Sequence, residues 1–197
     1  KSAGSANGAG GDARFNHPTG VAVDLSGNVY VADWGNHAIR EITVDGTVST
    51  IAGLAGKNGT NDGTGDLARF NHPAGVAVDA LGNVYVADEW NHTIRKLTSD
   101  GINWNVTTVA GAPERPGGGD GTNYQARFDF PAGIAVDGDG NLYIADSGND
   151  TIRRAVQVSS VWTVSTVAGL SGNSGSADGL KDAARFNEPI GVAVDSL

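Results

Sequence analysis

Apolar residues come along this chain in short bursts at every second position, and the bursts themselves recur. Gly20 to Asp24, Asn28-Val-Tyr-Val-Ala-Asp33, His37-Ala-Ile-Arg-Glu-Ile-Thr43 and Thr47 to Ala52 are rich in β-branched and aromatic residues and show no helical period. The same four segments return at Gly75 to Asp79, Asn83 to Asp88, His92 to Thr98 and Val106 to Ala110. They return again at Gly133 to Asp137, Asn141 to Asp146, Asp150 to Val156 and Val164 to Ala168, and the first alone recurs at Gly191 to Asp195. Ala-Arg-Phe marks the period at 13, 68, 126 and 184, which gives spacings of 55, 58 and 58 residues. A period of that size decides the architecture before any local assignment does.

The connections predict antiparallel neighbours. Asp24-Leu-Ser-Gly-Asn28, with glycines also at 82 and 140, fits a hairpin on a type I turn whose glycine is left-handed. Asn36, Asn91 and Asn149 fall in the second turn, where asparagine tolerates positive φ, and Asp45-Gly46 marks the third. Each repeat is therefore a four-stranded meander. Val21, Val23, Val29 and Val31 alternate with Ala22, Tyr30 and Ala32, so both faces of the meander are apolar and both need cover. Packing such sheets radially around a channel supplies it, with the small residues of the first strand nearest the axis. The predicted fold is all-β, a β-propeller of four-stranded antiparallel blades: linker 1–12, blades 13–67, 68–125 and 126–183, and the first strand of a further blade in 184–197.

Composition narrows the chemistry. The 197 residues carry a net charge of -9 without a basic run, which argues against nucleic acid as partner. No apolar run approaches the ~20 residues of a membrane-spanning helix. Cysteine is absent, so disulfides and thiolate metal sites are excluded. The start at Lys1-Ser-Ala-Gly, together with a single strand of a fourth repeat, leads us to expect a piece of a longer chain.

Asp33, Asp88 and Asp146, with Arg40, Arg95 and Arg153, occur in every repeat, whereas a catalytic site is needed once. They are expected to be structural, as are Arg14, Arg69, Arg127 and Arg185. His17 and His72 precede proline at the entrance to the innermost strand, and Phe130 and Glu188 hold the equivalent positions. His17, His72 and Glu188 are thus the only candidate metal set, and a ring of identical ligands is already broken. Asp137-Gly-Asp-Gly-Asn141 imitates a calcium loop but has hairpin counterparts in the other repeats. No cofactor is expected. Residues that vary between repeats while sitting on turns are better binding candidates, because the scaffold does not demand them. These are Trp34, Glu89 and Trp90 at the second turn and Trp104 and Trp162 near the start of the outermost strand, and for these tryptophans binding a partner and covering the long linkers are evenly matched readings.

Pro-x-Gly-Val-Ala-Val-Asp, then x-Gly-Asn-Val-Tyr-Val-Ala-Asp, x-x-Asn-His-x-Ile-Arg-Lys and Val-x-Thr-Val-Ala-Gly together resemble the NHL repeat, with Ala38, Thr93 and Thr151 at its leucine position. The resemblance covers essentially the whole chain and implies a propeller, commonly of six blades. It also implies a choice of functions. Some propellers of this kind bind protein, sugar or, through basic faces, RNA; relatives of the fold include a metal-dependent amidating lyase and calcium-bearing lactonases. The reading preferred here is a noncatalytic module for protein or carbohydrate, within a secreted or cell-envelope protein. The alternatives are a metal-dependent enzyme with zinc or calcium in the channel, and a self-assembling subunit. Three blades leave two open sheet faces, so remaining blades of the parent chain or a second copy are expected to cover them.

Overall fold

The structure is a computed structural model that describes residues 2–195. Its strands form three antiparallel sheets, each with two short 3-10 turns between its own strands. The first sheet contains β1 (Gly8–Ala9), β2 (Pro18–Val23), β3 (Val29–Asp33), β4 (Ala38–Ile42) and β5 (Thr47–Gly53), in the order β1-β5-β4-β3-β2. The second repeats it with β6 (Gly63–Thr64), β7 (Pro73–Val78), β8 (Val84–Asp88), β9 (Thr93–Ser99) and β10 (Trp104–Gly111). The third contains β11 (Gly121–Thr122), β12 (Pro131–Val136), β13 (Leu142–Asp146), β14 (Thr151–Val158) and β15 (Val161–Ala168).

Each sheet thus has five strands where the sequence pattern predicts four. The extra one is a two-residue strand from the preceding linker, pairing antiparallel with the outermost strand, as Gly8 does with Val48 and Gly63 with Val106. Two residues are too few to show a period, so hydrogen bonding alone reveals them. The segment Gly191–Asp195 runs alongside the third blade without forming a strand, and Ser196 and Leu197 lie outside the described residues.

The hairpins follow their turn chemistry. Gly27, Gly82 and Gly140 are left-handed, at φ of 88°, 80° and 82°, while Asp24, Asp79 and Asp137 accept backbone N–H bonds across the turn. At the second turn the structure corrects the expectation. The left-handed residue is not Asn36, Asn91 or Asn149 but the next one, His37, His92 or Asp150, at φ of 56°, 57° and 56°. Each asparagine closes a right-handed 3-10 turn, which aims its amide at the buried aspartate three residues back. The left-handed step therefore falls to its neighbour.

The core lies between sheets. Tyr30, Ile39 and Ile51 of the first blade pack on Phe70, Val76 and Val84 of the second, and the second packs in the same way on Phe128, Ile134 and Leu142 of the third. Trp104 and Trp162 belong to these seams, edge-on to Tyr30 and Tyr85 at 5.7 and 6.0 Å. Near the axis the inner strands touch backbone to backbone. A Cβ at Gly20 would stand 2.5 Å from the Ala74 carbonyl oxygen, and one at Gly75 would stand 2.3 Å from that of Ala132. Only glycine permits this approach.

Candidate functional site

Each blade buries one ion pair. Asp88 accepts from Arg95 Nη1 at 2.8 Å, from Asn91 Nδ2 at 2.7 Å and from the Asn71 backbone at 2.8 Å. Arg95 also donates to the Arg69 and Asn61 carbonyls and to Asp62, and its guanidinium lies over the Phe70 ring. Asp33 with Arg40, and Asp146 with Arg153, repeat the arrangement, each binding the linker that enters its blade. Burial raises the Asp88 carboxyl and pushes Asp146 up to about 6, against the opposing pull of the arginines. These networks fasten linkers to sheets. Asn91 and Asn149, both in Asn-x-Thr sequons, spend their amides here and are buried. Arg14, Arg69, Arg127 and Arg185 reach back along the chain to carbonyls one and three residues earlier, at the end of each linker.

A different group of residues gathers where the second turns meet the entrances to the inner strands. Trp34 donates from Nε1 to Glu89 of the next blade at 2.8 Å. The His72 ring lies between Trp34, at 4.0 Å, and Trp90, at 4.3 Å, and Trp34 is 6.2 Å from Trp90. His17 extends the row at 6.4 Å from Trp34, and Phe130 extends it at the other end, 6.3 Å from Trp90. Trp90 and Phe130 remain 44% and 40% exposed, so the row is a surface platform rather than core. It borders an open cavity of ≈ 500 Å³ around the inner strands, lined by Gly20, Gly75, Gly133, Trp34 and Glu89. Burial raises the Glu89 carboxyl, and the Trp34 hydrogen bond opposes the rise.

The structure therefore brings Trp34, Glu89 and Trp90 together across two blades and adds His72 and Phe130. His17, His72 and Glu188 occupy the same left-handed position of the repeat, at φ of 49°, 53° and 48°, with Phe130 holding it on the third blade between His72 and Glu188, and they do not converge. Among the described residues no three His, Asp or Glu side chains form a metal-holding group. His72 is committed to the indoles, and its Nδ1 is 3.0 Å from Asn71 Oδ1. Among the described residues, His17, His72 and Glu188 therefore do not assemble the zinc or calcium set that their spacing suggested.

One kind of contact between neighbouring repeats is not legible in the sequence pattern. His37 Nδ1 accepts the His72 backbone N–H, His92 Nδ1 accepts that of Phe130, and Asp150 Oδ1 accepts that of Glu188. What links histidine with aspartate at this position is a side-chain acceptor. The substitution of Asp150 for histidine was the only signal of it.

Comparison with known proteins agrees with this geometry. The NHL repeat model matches residues 15–42, 70–97 and 128–154. The chain is 34% identical over 151 residues to Protein SUPPRESSOR OF QUENCHING 1, chloroplastic, of Arabidopsis thaliana, covering 71% of this chain and 14% of that protein. It is 31% identical over 155 residues to human NHL repeat-containing protein 2, covering 72% and 21%. It spans only a small part of either relative. A structural genomics protein of unknown function from Bacteroides thetaiotaomicron superposes with a TM-score of 0.73 at 26% identity, covering 92% of this chain and 43% of that one. An auxiliary nutrient binding protein from Bacteroides ovatus shares the fold, with a TM-score of 0.69 at 19% identity over 91% and 43%. Three matched repeats, each folded as one sheet of a radial array, identify the chain as a member of the NHL repeat family with a β-propeller fold.

Proposed function

We propose that this chain is a noncatalytic binding module that takes a protein or carbohydrate ligand on the turn face, within a secreted or cell-envelope protein. The observation that carries this reading is the row Trp34, His72, Trp90 and Phe130. These aromatic and imidazole rings span adjacent blades, lie on turns and beside the channel mouth, and are not required by the repeat. Exposed tryptophan supplies large contact area at low entropic cost, which is why it dominates binding hot spots.

The open sheet faces call for cover of their own. Val21 is 64% exposed on the first blade, whereas the equivalent Val76 and Ile134 are each 6% exposed beneath a neighbour. The cover proposed is more of the same fold, from the parent chain or a second copy.

Intrinsic tryptophan fluorescence tests the binding reading. Titration with soluble oligosaccharides and short peptides is expected to give a saturable change, weakened about tenfold or more by Trp90→Ala without loss of folding. No saturable change with either class, or one indifferent to Trp90→Ala, overturns it.

A further inference from the structure

At each blade junction one side chain accepts a backbone N–H from the next repeat. The acceptor hangs from the left-handed residue just ahead of β4, β9 or β14, and the donor is the left-handed residue just ahead of β7, β12 or, for Glu188, the segment that runs alongside the third blade. The distances are 3.1 Å for His37 with His72, 3.1 Å for His92 with Phe130, and 2.8 Å for Asp150 with Glu188. A backbone N–H only donates. Nδ1 of His37 and of His92 must therefore carry a lone pair, which makes both imidazoles neutral with the proton on Nε2. A proton added at Nδ1 turns the acceptor into a donor and opens the junction. Aspartate keeps an acceptor oxygen whether ionised or protonated, so the third junction lacks this sensitivity.

We propose that the His37 and His92 junctions are a pH switch for the turn-face platform: protonation releases the backbone of His72 and Phe130, and the row of rings they hold comes apart. Its consequence, loss of ligand on acidification, rests on the binding reading of this face. His37 faces the His72 ring at 4.4 Å, and Glu89 lies beyond Trp34. His92 faces Asp129, whose Oδ1 is 3.4 Å from Nδ1. With Nδ1 committed to the Phe130 N–H, that contact is no ion pair in the neutral form. Once protonated, His92 has Asp129 as a ready acceptor, so its junction exchanges partners.

Burial holds His37, His72 and His92 below the ordinary imidazole value of 6.5; the neighbouring His37 adds to this for His72, and Asp129 partly offsets it for His92. The unfolded chain then binds more protons than the folded one, so these groups withdraw stability as pH falls below 6.5. Asp88 and Asp146, raised by burial, bind more protons when folded and add stability on acidification. Global melting therefore mixes opposite signs, and a local readout is needed.

Amide hydrogen exchange on the 197-residue chain supplies it. Between about pH 7.5 and about pH 5, protection factors at His72 and Phe130 are expected to fall by about tenfold per pH unit once the histidines titrate, while that at Glu188 holds. His37→Asp, the residue natural to the third repeat, is expected to abolish the fall at His72, and Asp150→His to confer one on Glu188. Equal falls at all three amides, or a fall at His72 that survives His37→Asp, overturns the switch. Failure of every oligosaccharide and peptide to bind at either pH sinks the binding reading alone, since the exchange data decide the switch without a ligand.

Discussion

Arg95 and Asp88 have side chains 1% and 0% exposed, and neither meets water. A buried pair of this kind adds little net stability against an apolar equivalent, but removal of one partner strands a charge. Asp88→Ala is therefore expected to destabilise the chain by about 3–5 kcal/mol, measured by urea unfolding. A loss below about 1 kcal/mol would show that Arg95 finds solvent instead. Recurrence made the pair legible in the sequence: an aspartate and an arginine present in every repeat belong to construction. The role of Asn91 was not legible, because a turn asparagine invites the left-handed assignment. Its amide bonds to Asp88 and to the Gly59 carbonyl became visible only with the linker in place.

Among elements, the inner strands face the strictest demand. Gly75 leaves no room for a methyl group, since the Ala132 carbonyl oxygen and the Ile134 nitrogen stand 2.3 and 3.0 Å from its Cβ position. Gly138, in the hairpin after the corresponding strand of the next blade, meets nothing within 4 Å. Gly75→Ala is expected to cost about 1–3 kcal/mol and Gly138→Ala to stay within about 0.5 kcal/mol, compared by thermal unfolding. Similar costs would mean that the blades shift apart freely. Alternation and turn glycines made the four long strands of each blade readable. The outermost two-residue strands were not, and neither were the side-chain bonds that close the junctions. Both depend on residues 35 to 43 positions apart in sequence, such as Gly63 with Val106 and His37 with His72, which no local pattern reports.

At the scale of the whole molecule, the seams between blades bury apolar side chains while the face carrying Val21 is open. A valine such as Val76 gains about 1.5–3 kcal/mol from full burial, and Val21 lacks that gain. If a second copy supplies the cover, light scattering after size exclusion is expected to show an assembly that Val21→Asp dissociates; an assembly unchanged by that substitution would place the contact elsewhere. On the proposed reading, recurring residues build the blades while the row from His17 to Phe130 meets the ligand. The most direct measurement reads the ligand titration at the four indole N–H signals, since Trp104 and Trp162 lie in the seams and Trp34 and Trp90 on the platform. Trp34 and Trp90 are expected to shift while Trp104 and Trp162 stay. Shifts confined to Trp104 and Trp162 would contradict it.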